Sequence, residues 1–138
     1  MNVSLVGQKL ARIAEYCREL EPLSRIPVAE FESRPDRHHL AERYVQLIVD
    51  SAVDINNHAI LESGSPPPEK YFDTFVAMGR LHILPEPLAR RLARTTGLRN
   101  RIVHEYEAVD LRIFHRSLPS FIRDFAEFAR RLRKRAGI

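Results

Sequence analysis

Apolar residues return at steps of three and four along most of this chain, the spacing that lines one face of an α-helix. Leu5, Val6, Leu10, Ile13, Tyr16, Cys17 and Leu20 hold that period first, and Pro22 predicts a stop. Residues 21–36, with Pro22, Pro27 and Pro35, read as a connector that holds one short helical turn around Val28 to Phe31. Asp36 is placed to cap a long second helix, in which Leu40, Tyr44, Leu47, Ile48, Ser51, Ala52, Ile55, Ala59 and Ile60 keep the helical period. Gly64-Ser65-Pro66-Pro67-Pro68 is the clearest break. From Glu69 the pattern resumes through Tyr71, Phe72, Phe75, Val76 and Met78 and closes near Leu84-Pro85. Pro85 and Pro87 permit a new helix carrying Leu88, Leu92, Ile102 and Val103. After Asp110 a last helix runs through Leu111, Phe114, Leu118, Phe121, Ile122, Phe125, Phe128 and Leu132, with Pro119 as a place for a bend.

No segment alternates as a half-buried strand would. The expected fold is all-α, an up-and-down bundle of four main helices plus a shorter one, with residues 1–138 forming one domain. At 138 residues, 44% of them hydrophobic, the chain is long enough to bury a core of its own and too apolar to stay disordered. Cys17 is the single cysteine, which rules out an internal disulfide, a cysteine zinc cage and a CxxC redox motif. A reducing cytoplasm is the expected setting. The first residues lack a basic stretch followed by a long apolar run, and no apolar window reaches the roughly 20 residues needed to span a bilayer.

The net charge of +4 invites an anionic partner, yet much of the excess is local. Arg130, Arg131, Arg133, Lys134 and Arg135 crowd the end of the chain, with Arg123 upstream. Such a run is read in two ways, as a solvated helix end whose cations suit the helix dipole or as a patch that steers RNA.

Candidate chemistry concentrates in Arg99-Asn100-Arg101-Ile102-Val103-His104-Glu105-Tyr106. Arginine is a permanent cation suited to phosphate, histidine exchanges a proton near neutral pH, and tyrosine offers a modifiable hydroxyl. On a helix, Arg99 and Tyr106 fall about 20° apart around the axis, on the face that also carries Leu92, Ile102 and Val103. Arg99 therefore points toward the apolar seam and needs an acidic partner, because burying an unpaired charge costs several kcal/mol. Asp50, Asp54 and His58 make one polar line on the second helix, so Asp54 or Asp50 is expected to face Arg99, as part of the site or as a structural pair between helices. His104 is displaced from Arg99 by about 140°. One straight helix cannot aim both at the same atom, so either the helix distorts there or a second subunit completes the site across a two-fold axis.

Arg99, four intervening residues, His104, one residue and Tyr106 give the R-x(4)-H-x-Y pattern of HEPN-domain toxins of the HepT type, which this chain resembles. The likeness extends over roughly residues 37–132. Glu42-Arg43-Tyr44-Val45-Gln46-Leu47, Ala52-Val53-Asp54-Ile55 and His58-Ala59-Ile60 resemble the family's second helix. Tyr71-Phe72, Leu92-Ala93, Gly97-Leu98-Arg99-Asn100 and Val109-Asp110 resemble its third and fourth. The resemblance implies a homodimer with a composite, metal-independent endoribonuclease site at its interface, acting as the toxin of a type VII toxin–antitoxin pair. It further implies a small nucleotidyltransferase antitoxin of the MNT type, which uses ATP to attach AMP to the motif tyrosine. Carried over by position, Arg99 stabilises the scissile phosphate, His104 is general acid or base, Tyr106 takes the AMP, and Asn100 orients the substrate or the motif helix.

His38-His39 beside Asp36 read as surface residues rather than metal ligands, since a third ligand at a known spacing is missing. Two readings from other classes compete with the nuclease: a HEPN-like module that holds a nucleotidyltransferase or a nucleotide without cutting RNA, and a structural helical adaptor.

Overall fold

The computed structural model describes residues 2–104 and 109–138. Tyr106 therefore lies outside the described residues. Among these, the chain forms six helices and no strand: α1 (Val3–Arg25), α2 (Val28–Ser33), α3 (Pro35–Glu62), α4 (Tyr71–Arg80), α5 (Glu86–His104) and α6 (Leu111–Ala136).

α3 is the central helix. It packs against α1, α2, α4 and α5, while α1 also lies along α6 and α4 pairs with α5. Its buried positions run from Ala41 through Val45, Ile48, Val49, Ala52, Ile55 and Ala59 to Ile60, wide enough a face to serve neighbours on several sides. The polar residue Asn56 is fully buried there, and its amide donates to Thr74 Oγ1 at 3.2 Å, tying α3 to α4. α6 closes the core with Phe114, Phe121, Phe125 and Phe128, the last two meeting Phe75 of α4 with ring centroids 6.3 and 6.2 Å apart. Asp110 caps α6, accepting from the amides of Arg112 and Ile113 at 3.1 Å each. α6 continues through Pro119, with the proline inside the helix.

Several boundaries differ from the sequence expectation, among them the end of α4, at Arg80 rather than near Leu84. α1 does not stop at Pro22 but runs to Arg25. The proline forfeits one helical hydrogen bond, worth about 1 kcal/mol, near the helix end, and burial of Leu23 just beyond it returns about 1.5–3 kcal/mol. α3 is not capped by Asp36; Arg34 is the N-cap and Pro35 the first helical residue, where a missing N–H costs nothing and the fixed φ suits the helix. Asp36 instead pairs with Arg34 at 3.1 Å in the first turn. The connector's short turn is a helix in its own right, α2, held by Phe31, which is buried against Phe114 and His115 at centroid distances of 5.9 and 4.8 Å.

The α4–α5 hairpin positions the motif helix. Gly79 makes it close: a Cβ there would stand 2.9 Å from Ala89 Cβ, so only glycine lets the two backbones approach this far. No helix among the described residues is long and apolar enough to cross a membrane.

Candidate functional site

α5 carries two sets of residues. Leu88, Ala89, Leu92, Ala93 and Thr96 are buried against the bundle and anchor the first three turns. One turn further on Arg99 leaves that seam with its side chain only 15% exposed, the sheltered position that its period predicts.

The guanidinium is held on three sides. Its Nε donates to Asp50 Oδ1 at 2.9 Å, its Nη1 donates to Asn100 Oδ1 at 3.3 Å, and its carbon sits 4.5 Å from the centre of the Tyr71 ring. The carboxylate satisfies the charge, and the ring contributes a cation–π contact of about 0.5–1 kcal/mol or more. Asp50 comes from α3, Tyr71 from the first position of α4, and Arg99 from α5, so three helices meet at this point. Burial raises the Tyr71 hydroxyl above its ordinary range, the Asp50 charge and a hydrogen bond to Asp50 push the same way, and Arg99 opposes them. Tyr71 accordingly stays a neutral phenol at physiological pH.

The polar line on α3 is divided among different partners. Asp50 takes Arg99, whereas Asp54 binds Lys9 Nζ of α1 at 2.9 Å, and His58 Nε2 accepts from the Asn2 amide at 3.0 Å. Of the two aspartates expected to face Arg99, Asp50 makes the contact and Asp54 pairs with Lys9. Each step of four residues advances about 6 Å along the axis and turns about 40°, which carries Asp54 away from α5 and toward α1. Periodicity groups the three residues but does not tell which neighbour each one meets. Sequence reasoning also missed Tyr71 as a site residue, because a tyrosine inside an apolar period reads as core.

His104 is the last residue of α5 and is exposed. Arg99 turns into the bundle and His104 faces out, so one protomer does not bring the two together. The end of the seam also opens to solvent: Val103 is 36% exposed, and Ile113, near the start of α6 at the same end of the bundle, is 59% exposed. The basic run of the last turns sits elsewhere. α6 starts beside this end and is about 39 Å long, which puts Arg133, Lys134 and Arg135 at the opposite pole. His38 and His39 lie edge to face on α3, with centroids 4.5 Å apart, and no cluster of three or more metal-ligating side chains occurs among the described residues.

The helical bundle is that of an endoribonuclease family, as the match of its sequence to named nucleases shows. Residues 13–132 match the ribonuclease HepT-like family, and the chain belongs to it. It is 33% identical over 106 residues to the tRNA nuclease HepT of Aphanizomenon flos-aquae, covering 77% of this chain and 72% of that one. It is 27% identical over 84 residues to the mRNA nuclease HepT of Shewanella oneidensis, covering 61% and 63%. The fold matches the tri-AMPylated Shewanella oneidensis HEPN toxin in complex with MNT antitoxin at a TM-score of 0.88, with 22% identity over 97% of this chain and 99% of that one. It also matches a toxin–antitoxin structure with AMP-PNP at 0.87, with 20% identity over 95% and 98%.

Proposed function

We propose that residues 1–138 form the toxin of a toxin–antitoxin pair, a cytoplasmic, metal-independent endoribonuclease whose site is assembled across a homodimer. The carrying observation is the opposed placement of Arg99 and His104 on one helix. Arg99 is fixed by Asp50 and Tyr71 while His104 stands exposed about 140° away, so the two act on one phosphate only if each comes from a different copy. Exposed Val103 and Ile113 give that end apolar area to bury against a second copy.

RNA supplies its own nucleophile. The 2′-OH attacks phosphorus, a base removes its proton, and the P–O5′ bond breaks as an acid protonates the leaving oxygen. His104 fills the proton-transfer role, since an imidazole can both take up and give up a proton. Arg99 stabilises the charge that builds on the phosphorane oxygens, and Asn100 holds the guanidinium edge that faces the substrate.

Tyr106 is the proposed acceptor of AMP from a nucleotidyltransferase antitoxin of the MNT type, with ATP as donor. An anionic adduct seven residues from Arg99 would occupy the arginine and deny it to RNA. The similar folds, a tri-AMPylated HEPN toxin in complex with MNT antitoxin and a toxin–antitoxin with AMP-PNP, support this pairing.

The reading is tested by expression without an antitoxin. Growth arrest that His104→Ala abolishes is expected, and harmless wild-type expression defeats the nuclease reading. Incubation with the partner and ATP should add AMP-sized mass increments that vanish in Tyr106→Phe; increments that persist would move the modification elsewhere. A monomeric mass in solution would defeat the composite site.

A further inference from the structure

The outward face of α5 carries an arrangement that the core does not explain. Arg94, Gly97, Arg101 and His104 follow at steps of three, four and three, within an arc of roughly 80°, and all four are exposed. Neighbouring arginines on this helix are neutralised: Arg90 pairs with Glu86, and Arg91 pairs with Asp124 at 3.1 Å. Arg94 and Arg101 have no ion-pair partner among the described residues.

Between these two cations stands a glycine in mid-helix, which costs about 1 kcal/mol relative to alanine. At Gly79 the cost has an internal reason, the 2.9 Å approach to Ala89, whereas nothing lies within 4 Å of a Cβ built at Gly97. The bare backbone at Gly97 is open to something outside the chain. A second copy of this face would set arginines against arginines, so the charge selects a polyanion.

We propose that the phosphate backbone of the RNA runs over Gly97, held by Arg94 on one side and Arg101 on the other, and is delivered along this line to His104. The inference rests on the ribonuclease reading and adds the path by which substrate enters. The two cations are about 10.5 Å apart along the axis, and the missing Cβ between them lets a strand settle onto the helix. Apolar grooves flank the line and offer room for bases. The α4–α5 groove, about 640 Å³, has Phe72 on its wall at 48% exposure, and the α5–α6 groove, about 590 Å³, is floored by Leu98 and Phe121. The line also fits a composite site: it ends at His104 on the side of α5 away from that protomer's own Arg99, which leaves the second copy to supply the arginine.

The test measures binding of a fluorescein-labelled single-stranded RNA of mixed sequence to full-length protein in a His104→Ala background, by anisotropy over a range of salt. Each phosphate contact on a single strand contributes about 0.7 to the slope of log affinity against log salt. Arg94→Ser with Arg101→Ser should lower that slope by about 1.4 and weaken binding about 25-fold near 0.1 M salt. Gly97→Leu should weaken binding while leaving the thermal midpoint unchanged or higher, because leucine is the better helix former. A misfolded variant would move both in the same direction. An unchanged slope in the arginine pair overturns the proposal, as does wild-type affinity in Gly97→Leu. A change in solution mass with RNA binding intact would assign the face to a second copy and overturn it as well. If the His104→Ala protein binds no RNA and the wild type cuts none, the ribonuclease reading fails first, a result distinct from all of these.

Discussion

Asp50 is the residue on which the arrangement of Arg99 depends, and its removal separates positioning from stability. In Asp50→Ala the Nε of a guanidinium whose side chain is 15% exposed loses its carboxylate at 2.9 Å, with Tyr71 and Asn100 left as its contacts. A hydrogen bond between charged groups is worth about 1.5–3 kcal/mol, and the 30% exposure of Asp50 places this one near the lower end. At this chain length about 1.5 kcal/mol corresponds to a fall in Tm of about 5 °C. The catalytic effect should be larger. An arginine free to turn by an ångström is expected to cost about 100-fold in rate, so single-turnover cleavage of RNA should slow by that factor in Asp50→Ala. Asp50→Asn keeps an acceptor for Nε and removes only the charge, so its rate should stay within about tenfold of wild type. The assays are thermal denaturation and single-turnover cleavage on the same preparations. Equal cleavage rates for wild type and Asp50→Ala, alongside the lowered Tm, would refute the positioning role and leave a plain structural ion pair.

Asp54→Ala breaks only the Lys9 pair, whose carboxylate is 55% exposed, so stability should fall by less than about 1 kcal/mol and cleavage should match wild type in the same assay. Gly79→Ala forces apart α4 and α5 at the 2.9 Å approach to Ala89, and urea denaturation should show a loss of about 1–3 kcal/mol. Burial pushes the Cys17 thiol up to about 11, with the Arg18 charge opposing. A group with a raised folded pKa holds its stabilising effect below its unfolded pKa and loses it as pH rises through the folded value. Stability should therefore fall by roughly 2–3 kcal/mol between about pH 9 and 11, a loss that Cys17→Ala lacks when urea curves are compared across that window.

The helices were legible where one neighbour dominates. α6 has a single apolar face, and its start after Asp110 and its phenylalanine series stand where the period places them. Boundaries set by competition were not legible. Pro22 announces a stop that burial of Leu23 overrides, and Asp36 resembles a cap until Pro35 takes the first helical position. In the site, the shelter of Arg99 followed from the period of α5, and the outward turn of His104 from the helix angle. The choice of Asp50 over Asp54, the base that Tyr71 forms under the guanidinium, and the use of Lys9 did not follow. These depend on how far apart three helices sit and at what height they cross, which one helix's sequence does not encode.

The clamp on Arg99 bears on which anions the site admits. With Nε committed to Asp50 and one Nη1 hydrogen to Asn100, the free protein presents a cation whose charge is already largely answered. A small anion such as phosphate or sulfate, abundant in any cell, must compete with a tethered carboxylate and brings no other contact to offset the loss. A polymer held elsewhere along its length meets that competition at a higher effective concentration, set by the tether and not by the solution. On the proposed function, the same aspartate that steadies the arginine makes small anions compete for it and favours a substrate held along its length.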